Sequence, residues 1–312
     1  MPETKEKWLE ITLSAPSELC DALSNFLEEL GTQGVFQEEA DENGFSDDGT
    51  VDALEEIKSY LPLDSDTEQK IDLLTGYIGN LSELFPHMET PSFTRREIVD
   101  PDWGERWKKY FKPLKIGRNI IIKPTWERYT PTSRDIVVDI DPGMAFGTGQ
   151  HPSTRLCIIA IEEIALTNRS FEQWSVLDIG TGTGILAICA AKIGAGSVAA
   201  VDLDPKAVEI AGTNTAINGV EDRVEIINRD ASMCDGTFEL ITANLTASTL
   251  INLQSTITSL MKPGGYLVAS GIIDRDAKNV EKIFRSEGVT LHETRSEEEW
   301  VCYLFRKGEA GQ

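Results

Sequence analysis

Residues 175–184 read Ser-Val-Leu-Asp-Ile-Gly-Thr-Gly-Thr-Gly: a short apolar strand runs into three alternating glycines, and the apolar stretch Ile185–Ile193 follows. Few local folds accommodate that succession. Gly180, Gly182 and Gly184 carry no Cβ, so the chain can turn tightly there and a ligand can approach the backbone. A second apolar strand comes next and ends in an acid, Asp202, within Val-Ala-Ala-Val-Asp-Leu-Asp-Pro at 198–205. Strand, glycine turn, helix and strand-terminal carboxylate predict the first β-α-β unit of a nucleotide-binding α/β sheet, with the ligand at the carboxyl ends of the strands. The spacing is D-x-G-x-G-x-G rather than the G-x-G-x-x-G of dinucleotide sites.

From residue 119 onward, apolar runs of strand and helix length alternate. Strands are expected at 119–123 and 135–140, a helix at 153–165, and then strand and helix in turn: 175–179, 185–193, 197–202, 206–217, 223–228, 238–243, 247–260, 264–271 and 276–286. Two closing strands, 288–294 and 300–306, are separated by a charged turn, and Pro263-Gly264-Gly265 reads as a turn feeding the fifth strand of the sheet. The alternation predicts a doubly wound, mostly parallel sheet of seven strands.

The first hundred residues follow another pattern. Trp8–Leu13 alternates, with Leu9, Ile11 and Leu13 on one face. Pro16 opens a helix whose Leu19, Leu23, Phe26, Leu27 and Leu30 recur near every 3.6 residues, and Gly31 stops it. Residues 34–38 read as a strand, 41–50 as an acidic loop or hairpin tip, 66–84 as a helix and 92–99 as extended chain. The order β-α-β-(β)-α-β suggests a small ferredoxin-like α+β domain over 1–99. A connector over 100–118, in which Trp103, Trp107 and Phe111 share one helical face, then leads to a catalytic domain over 119–312.

Charge is divided just as unevenly. Residues 1–90 hold 22 acidic and 4 basic side chains, whereas 91–118 hold 8 basic and 4 acidic, within a chain of net charge −23. Such a front domain repels nucleic acid and attracts cationic partners, unless the charge only solubilises it. No signal-like segment or membrane-length apolar run occurs, so a cytoplasmic chain with no membrane partner is expected. The five cysteines are scattered without a C-x-x-C, and the three histidines stand apart, so reduced thiols and no metal are expected.

A second glycine-bearing loop, Asp141-Pro-Gly-Met-Ala-Phe-Gly-Thr-Gly-Gln-His-Pro-Ser-Thr154, precedes the first helix of the catalytic domain. Here the chain resembles the ribosomal protein L-eleven methyltransferases (the PrmA family), whose signature D-P-G-x-A-F-G-T-G-x-H-x-S/T-T it matches letter for letter. The likeness extends to Trp103-Gly-Glu-Arg-Trp-Lys-Lys-Tyr-Phe-Lys-Pro, to the Asp-Leu-Asp-Pro after the second strand and to the closing Glu-Glu-Trp. It is strong over about 98–306 and holds only in outline before that.

The resemblance implies a class I fold that binds S-adenosyl-L-methionine. It implies that Thr154 contacts this cofactor, that Gly180 and Gly182 form its loop, and that Asp202 grips the ribose hydroxyls. Asn244, in Ile-Thr-Ala-Asn-Leu at the end of the fourth strand, corresponds to the family's active-site asparagine. The residues after it depart slightly: Leu-Thr-Ala-Ser stands where Ile-Leu-Ala is usual. Asp230 is an acceptor for the adenine edge or else a surface carboxylate; Phe146 covers the methionine end of the cofactor or else anchors its loop. The implied reaction is N-methylation of lysine side chains and of the N-terminal amine of a basic large-subunit ribosomal protein, held by the acidic front domain of a monomeric enzyme.

Three other readings stay open. One is a related methyltransferase acting on another protein lysine; a glutamine-directed enzyme would show Asn-Pro-Pro-Tyr where Asn244-Leu-Thr-Ala stands. A nicotinamide-dependent dehydrogenase would need G-x-G-x-x-G. A binding module that keeps the fold without the chemistry is the third.

Overall fold

A computed structural model describes residues 8–38, 54–98, 111–141 and 147–309. The chain falls into two compact units, Met1–Phe111 and Lys112–Gln312.

The first unit contains β1 (Trp8–Pro16), α1 (Ser17–Glu29), β2 (Gln33–Glu38), β3 (Leu54–Pro62), α2 (Thr67–Leu84) and β4 (Ser92–Ile98). Its sheet has the order β2-β3-β1-β4 with every neighbouring pair antiparallel, the ferredoxin-like arrangement. Leu9, Ile11 and Leu13 of β1 bury one face against Leu19, Leu23 and Leu27 of α1 and Ile71, Leu74, Ile78 and Leu81 of α2. Gly31 ends α1 at φ +79°, and the Thr32 N–H turns back to the Leu27 carbonyl at 3.2 Å. β3 fills the optional place in the order expected from the sequence. The acidic stretch 41–50 and the connector tryptophans lie outside the described residues.

The second unit opens with a small sheet of order β5-β6-β7, formed by β5 (Leu114–Ile116), β6 (Ile120–Lys123) and β7 (Ile136–Asp139). After α3 (Pro152–Thr167) the alternation begins: β8 (Ser175–Ile179), α4 (Ile185–Ile193), β9 (Ser197–Asp202), α5 (Pro205–Asn218), β10 (Val224–Asn228), β11 (Phe238–Asn244), α6 (Ala247–Leu260), β12 (Met261–Ile273) and α7 (Asp274–Ser286). The hairpin β13 (Val289–Glu297) and β14 (Trp300–Lys307) completes a seven-stranded sheet of order β10-β9-β8-β11-β12-β14-β13. β14 pairs antiparallel with both β12 and β13, and every other neighbouring pair in this sheet is parallel. Apolar side chains from α3 and α4 cover one face of the sheet, and those from α6 and α7 the other. Burial from both sides is why its central strands read as continuous apolar runs.

Two details depart from the sequence expectation. β5 lies inside the stretch assigned to the connector, because Leu114, Lys115 and Ile116 pair with β6. Pro263-Gly264-Gly265 is not a turn before the fifth strand but part of β12: Met261 already pairs with Phe238, and the register shifts before Leu240 meets Tyr266. Gly264 at φ +76° absorbs that shift inside the strand.

The sheet order reverses between β8 and β11, the neighbours from which connections leave in opposite directions. Ligands of open α/β sheets bind beyond the strand ends at such a point.

Candidate active site

The glycine turn is pinned to its neighbouring strand. The N–H groups of Gly180 and Thr181 both donate to the Val201 carbonyl, at 2.9 and 3.1 Å. Gly180 adopts φ +70°, and a Cβ there would stand 2.5 Å from the Leu245 side chain. Any larger residue would therefore collide with the Leu245 side chain.

Asp178, one turn earlier and almost fully buried, receives the Thr181 hydroxyl at 2.7 Å and the Thr242 hydroxyl at 2.6 Å. Burial raises its carboxyl above the ordinary carboxylate range, and the two hydroxyl bonds pull the other way. It ties β8, the turn and β11 together rather than facing the crevice.

Asp202 sits across from the turn. One carboxylate oxygen accepts the Gly182 N–H at 2.9 Å and the other the Asp204 N–H at 3.0 Å. A carboxylate offers about four lone-pair sites, so acceptor capacity remains for a pair of neighbouring hydroxyls. Asn228 fixes the backbone beneath it, donating to the carbonyls of Asp202 and Leu203 at 2.9 and 3.1 Å.

The facing loop begins at Asp141, whose carboxylate accepts the Thr125 N–H at 2.9 Å and the Thr125 hydroxyl at 2.8 Å. Phe146 lies outside the described residues. Further along the loop, the Gly147 carbonyl accepts the Thr183 hydroxyl, so the two glycine-bearing segments are bonded directly.

His151 then caps α3, with Nδ1 accepting the Ser153 N–H at 3.2 Å. Its ring packs edge-on to Trp300, 4.4 Å between centroids. Burial, reinforced by the Arg155 guanidinium and opposed by Glu297, holds its pKa down at about 4. Arg155 in turn spans from the Gln150 carbonyl to the Glu297 carboxylate of the terminal hairpin.

Thr154 and Asn244 meet at the centre. Thr154 is fully buried, and its hydroxyl accepts the Asn244 side-chain amide at 3.2 Å. The other end of that amide, Oδ1, is buried and has no hydrogen-bond partner among the described residues. Such an orphaned acceptor is costly, and it marks where a donor from outside would bind. Its position is firm: the next residue, Leu245, donates its N–H to the Ser270 carbonyl at 2.9 Å. Gly271, at φ +79°, brings the neighbouring strand so close that a Cβ there would stand 2.6 Å from the Leu245 carbonyl oxygen.

Gly180, Gly182, Asp202, Thr154 and Asn244 thus gather at the carboxyl ends of β8, β9 and β11. Asp230 stands apart, after β10. It caps the short turn Ala231–Met233 by accepting the Ser232 N–H at 2.8 Å; the Ser232 hydroxyl first, and then this N–H, hold its carboxyl below the usual range. The sequence reading did not single out Thr183 or Asn214, which hold the two loops together. The signal it could have used is Asn214 and Asn218, two weak helix formers four residues apart in a helix, on one face. Among the described residues no cluster could hold a metal ion, and no helix is long and apolar enough to cross a membrane.

These features fit S-adenosylmethionine. Asp202, with acceptor capacity left beside the glycine turn, suits a vicinal diol, and the Asn244 oxygen has no partner among the described residues. The family model described as "Ribosomal protein L11 methyltransferase (PrmA)" matches residues 7–308. A relative of that name from Pelobacter propionicus is 40% identical over 302 residues, covering 96% of this chain and 98% of the relative. Another, from Bacillus licheniformis, is 37% identical over 320 residues, covering 96% and 100%. The crystal structure of a ribosomal protein L11 methylase from Lactobacillus delbrueckii subsp. bulgaricus superposes with a TM-score of 0.58 at 31% identity, covering 63% of this chain and all of that one. The chain belongs to the ribosomal protein L11 methyltransferase family, whose members are S-adenosylmethionine-dependent protein methyltransferases.

Proposed function

We propose that this chain transfers methyl groups from S-adenosylmethionine to lysine side chains and the N-terminal amine of ribosomal protein L11. The observation that carries the reading is the buried, unpartnered Oδ1 of Asn244 at the end of β11. Bound, the cofactor supplies a methyl carbon made electrophilic by its sulfonium. The chain's own residues have the task of positioning, because in-line displacement depends on the alignment of nucleophile and carbon.

Asp202 receives the ribose hydroxyls while the Gly182 N–H keeps its carboxylate in place. Thr154 holds the Asn244 amide by its nitrogen, which leaves the buried oxygen to accept an N–H of the incoming amine. An amine donating one hydrogen there keeps its lone pair free for the methyl carbon. The amine must arrive neutral, and desolvation lowers a lysine from its ordinary value of about 10.4. A proton lost to bulk water beforehand leaves no general base to supply.

Asp230 serves the adenine edge and Phe146 the methionine end of the cofactor. The front domain, with 22 acidic and 4 basic side chains over residues 1–90, collects the basic substrate by charge and turns nucleic acid away. The enzyme acts as a monomer in the cytoplasm, where ribosomal proteins are made.

Incubation of the full chain with L11 and methyl-labelled S-adenosylmethionine tests the reading. Label on lysine and N-terminal amines is expected. Asn244→Ala should lower turnover by about a hundredfold, the scale of removing one preorganised polar group, with S-adenosylhomocysteine affinity little changed. Absence of label from amines would overturn the assignment.

A further inference from the structure

We propose that Asn214 is a positioning residue that couples the two loops of the active site, so that cofactor bound at the glycine turn also sets the start of the facing loop. The proposal rests on the reading that Gly180–Gly184 and Asp202 hold S-adenosylmethionine.

α5 is an ordinary capped helix at its ends. Asp204 accepts the Lys206 N–H at its start, and Gly219 closes it in the left-handed conformation. Its interior is unusual in keeping two asparagines on one face, Asn214 at 1% exposure and Asn218 at 9%. Both behave as though they were a strand laid beside the end of β7. Asn218 accepts the Asp139 N–H at 3.0 Å and donates to the Asp139 carbonyl at 2.6 Å. One helical turn earlier, Asn214 accepts the Asp141 N–H at 3.1 Å and donates to the Asp141 carbonyl at 3.3 Å.

Only Asn214 makes a third bond into the site. Its Nδ2 also donates to the Thr183 carbonyl at 2.9 Å, inside the glycine turn. Thr183 spends its own hydroxyl on Gly147, on the far side of the facing loop. Both Asp141 at the start of that loop and Gly147 in its middle therefore converge on Thr183, and Asn214 supplies the link to the start. Burial leaves no water to substitute for a lost donor, so the Thr183 carbonyl and the Asp141 backbone would go unpaired without it.

Asn218 is a built-in control: same residue type, same helix, same ladder, no bond to the turn. The test compares Asn214→Ala with Asn218→Ala in the full-length protein, by thermal unfolding and by calorimetric titration with S-adenosylhomocysteine. Both variants should unfold at lower temperature than the parent. Only Asn214→Ala should bind the ligand about tenfold more weakly. Unchanged affinity in Asn214→Ala, or an equal loss in Asn218→Ala, would overturn the proposal while leaving the cofactor reading intact. Failure of the parent protein to bind would overturn both.

Should Asn214→Ala not fold, hydrogen exchange of the parent protein decides. The ligand should slow exchange of the Asp141 amide, bonded to Asn214, and leave the Asp139 amide, bonded to Asn218, unchanged. Equal behaviour of the two amides would contradict the coupling.

Discussion

The turn at Gly180–Gly184 takes most of its contacts from within one β-α-β unit, whereas the loop from Asp141 to Thr154 is held by side chains that come from far along the chain. In the turn, Thr181 bonds Asp178 three residues back, and Gly182 bonds Asp202 at the end of the next strand. From elsewhere, Thr242 bonds Asp178, Asn214 bonds the Thr183 carbonyl, and the Thr183 hydroxyl reaches Gly147. The loop instead depends on Asn214 from α5, Thr183 from the turn, Asn244 from β11, and Arg155 bridged to Glu297 in the terminal hairpin. A local device folds its ligand contacts along with its own strand and helix. A device assembled from distant side chains takes shape only after the sheet has brought those elements together, so its strength reports on the whole unit.

The largest expected effect lies in the local half. Asp202→Ala removes the acceptor of the Gly182 N–H and the group aimed at the ribose. Hydrogen bonds to a charged group are worth about 1.5–3 kcal/mol, so affinity for S-adenosylhomocysteine should fall by about a hundredfold. Calorimetry checks this. An unchanged affinity would make the carboxylate incidental and erase the distinction between the halves, since the local one would no longer be the ligand's anchor.

The same division explains what could be read from the sequence. The seven strands and five of the helices of the second unit fall within a few residues of their expected places, because burial on both faces writes apolar runs directly into the chain. Asp202 was legible from its place at a strand end, and the glycine turn from its spacing. Thr154 and Asn244 entered only through resemblance to a family. Nothing in Ile-Thr-Ala-Asn-Leu marks an orphaned oxygen until β11 lies beside β8. Asn214 escaped notice because an asparagine within a helical stretch looks like a surface residue unless its neighbour in space, Asp141, is known. Pro263-Gly264-Gly265 misled for the opposite reason: its turn chemistry is real, but the pairing of Met261 with Phe238 carries the strand through it.

The loop half also responds to pH. His151 is neutral in the folded chain, its pKa held to about 4 by burial and by Arg155, against an ordinary 6.5. Between those values the unfolded chain binds the extra proton and the folded one does not. Stability is therefore complete above pH 6.5 and declines as pH falls toward 4. Two and a half units correspond to about 3 kcal/mol at most, and partial exposure reduces this to about 2. His151→Asn keeps an N-cap acceptor for α3 but cannot titrate. Urea midpoints at pH 7 and 4.5 should show a smaller acid loss in the variant than in the parent. Equal losses would mean the loop's acid sensitivity lies elsewhere.

The smallest effect expected is the one that probes the seam between the halves. Thr183→Val replaces a hydroxyl with a methyl of similar size and so removes the donor to the Gly147 carbonyl while changing the packing little. The carbonyl loses its partner in a place closed to solvent, where Thr183 itself is fully buried. A lost neutral hydrogen bond of this kind costs about 1 kcal/mol. If the loop is held from outside itself, that cost should appear in two places: a lower urea midpoint, and an affinity for S-adenosylhomocysteine weaker by about threefold. A lower midpoint with full affinity would make the contact ordinary packing, and would leave the turn able to do its work whatever the loop does. A midpoint equal to the parent's would show that the two segments keep their places without touching, and the contrast between a self-contained turn and a dependent loop would not stand.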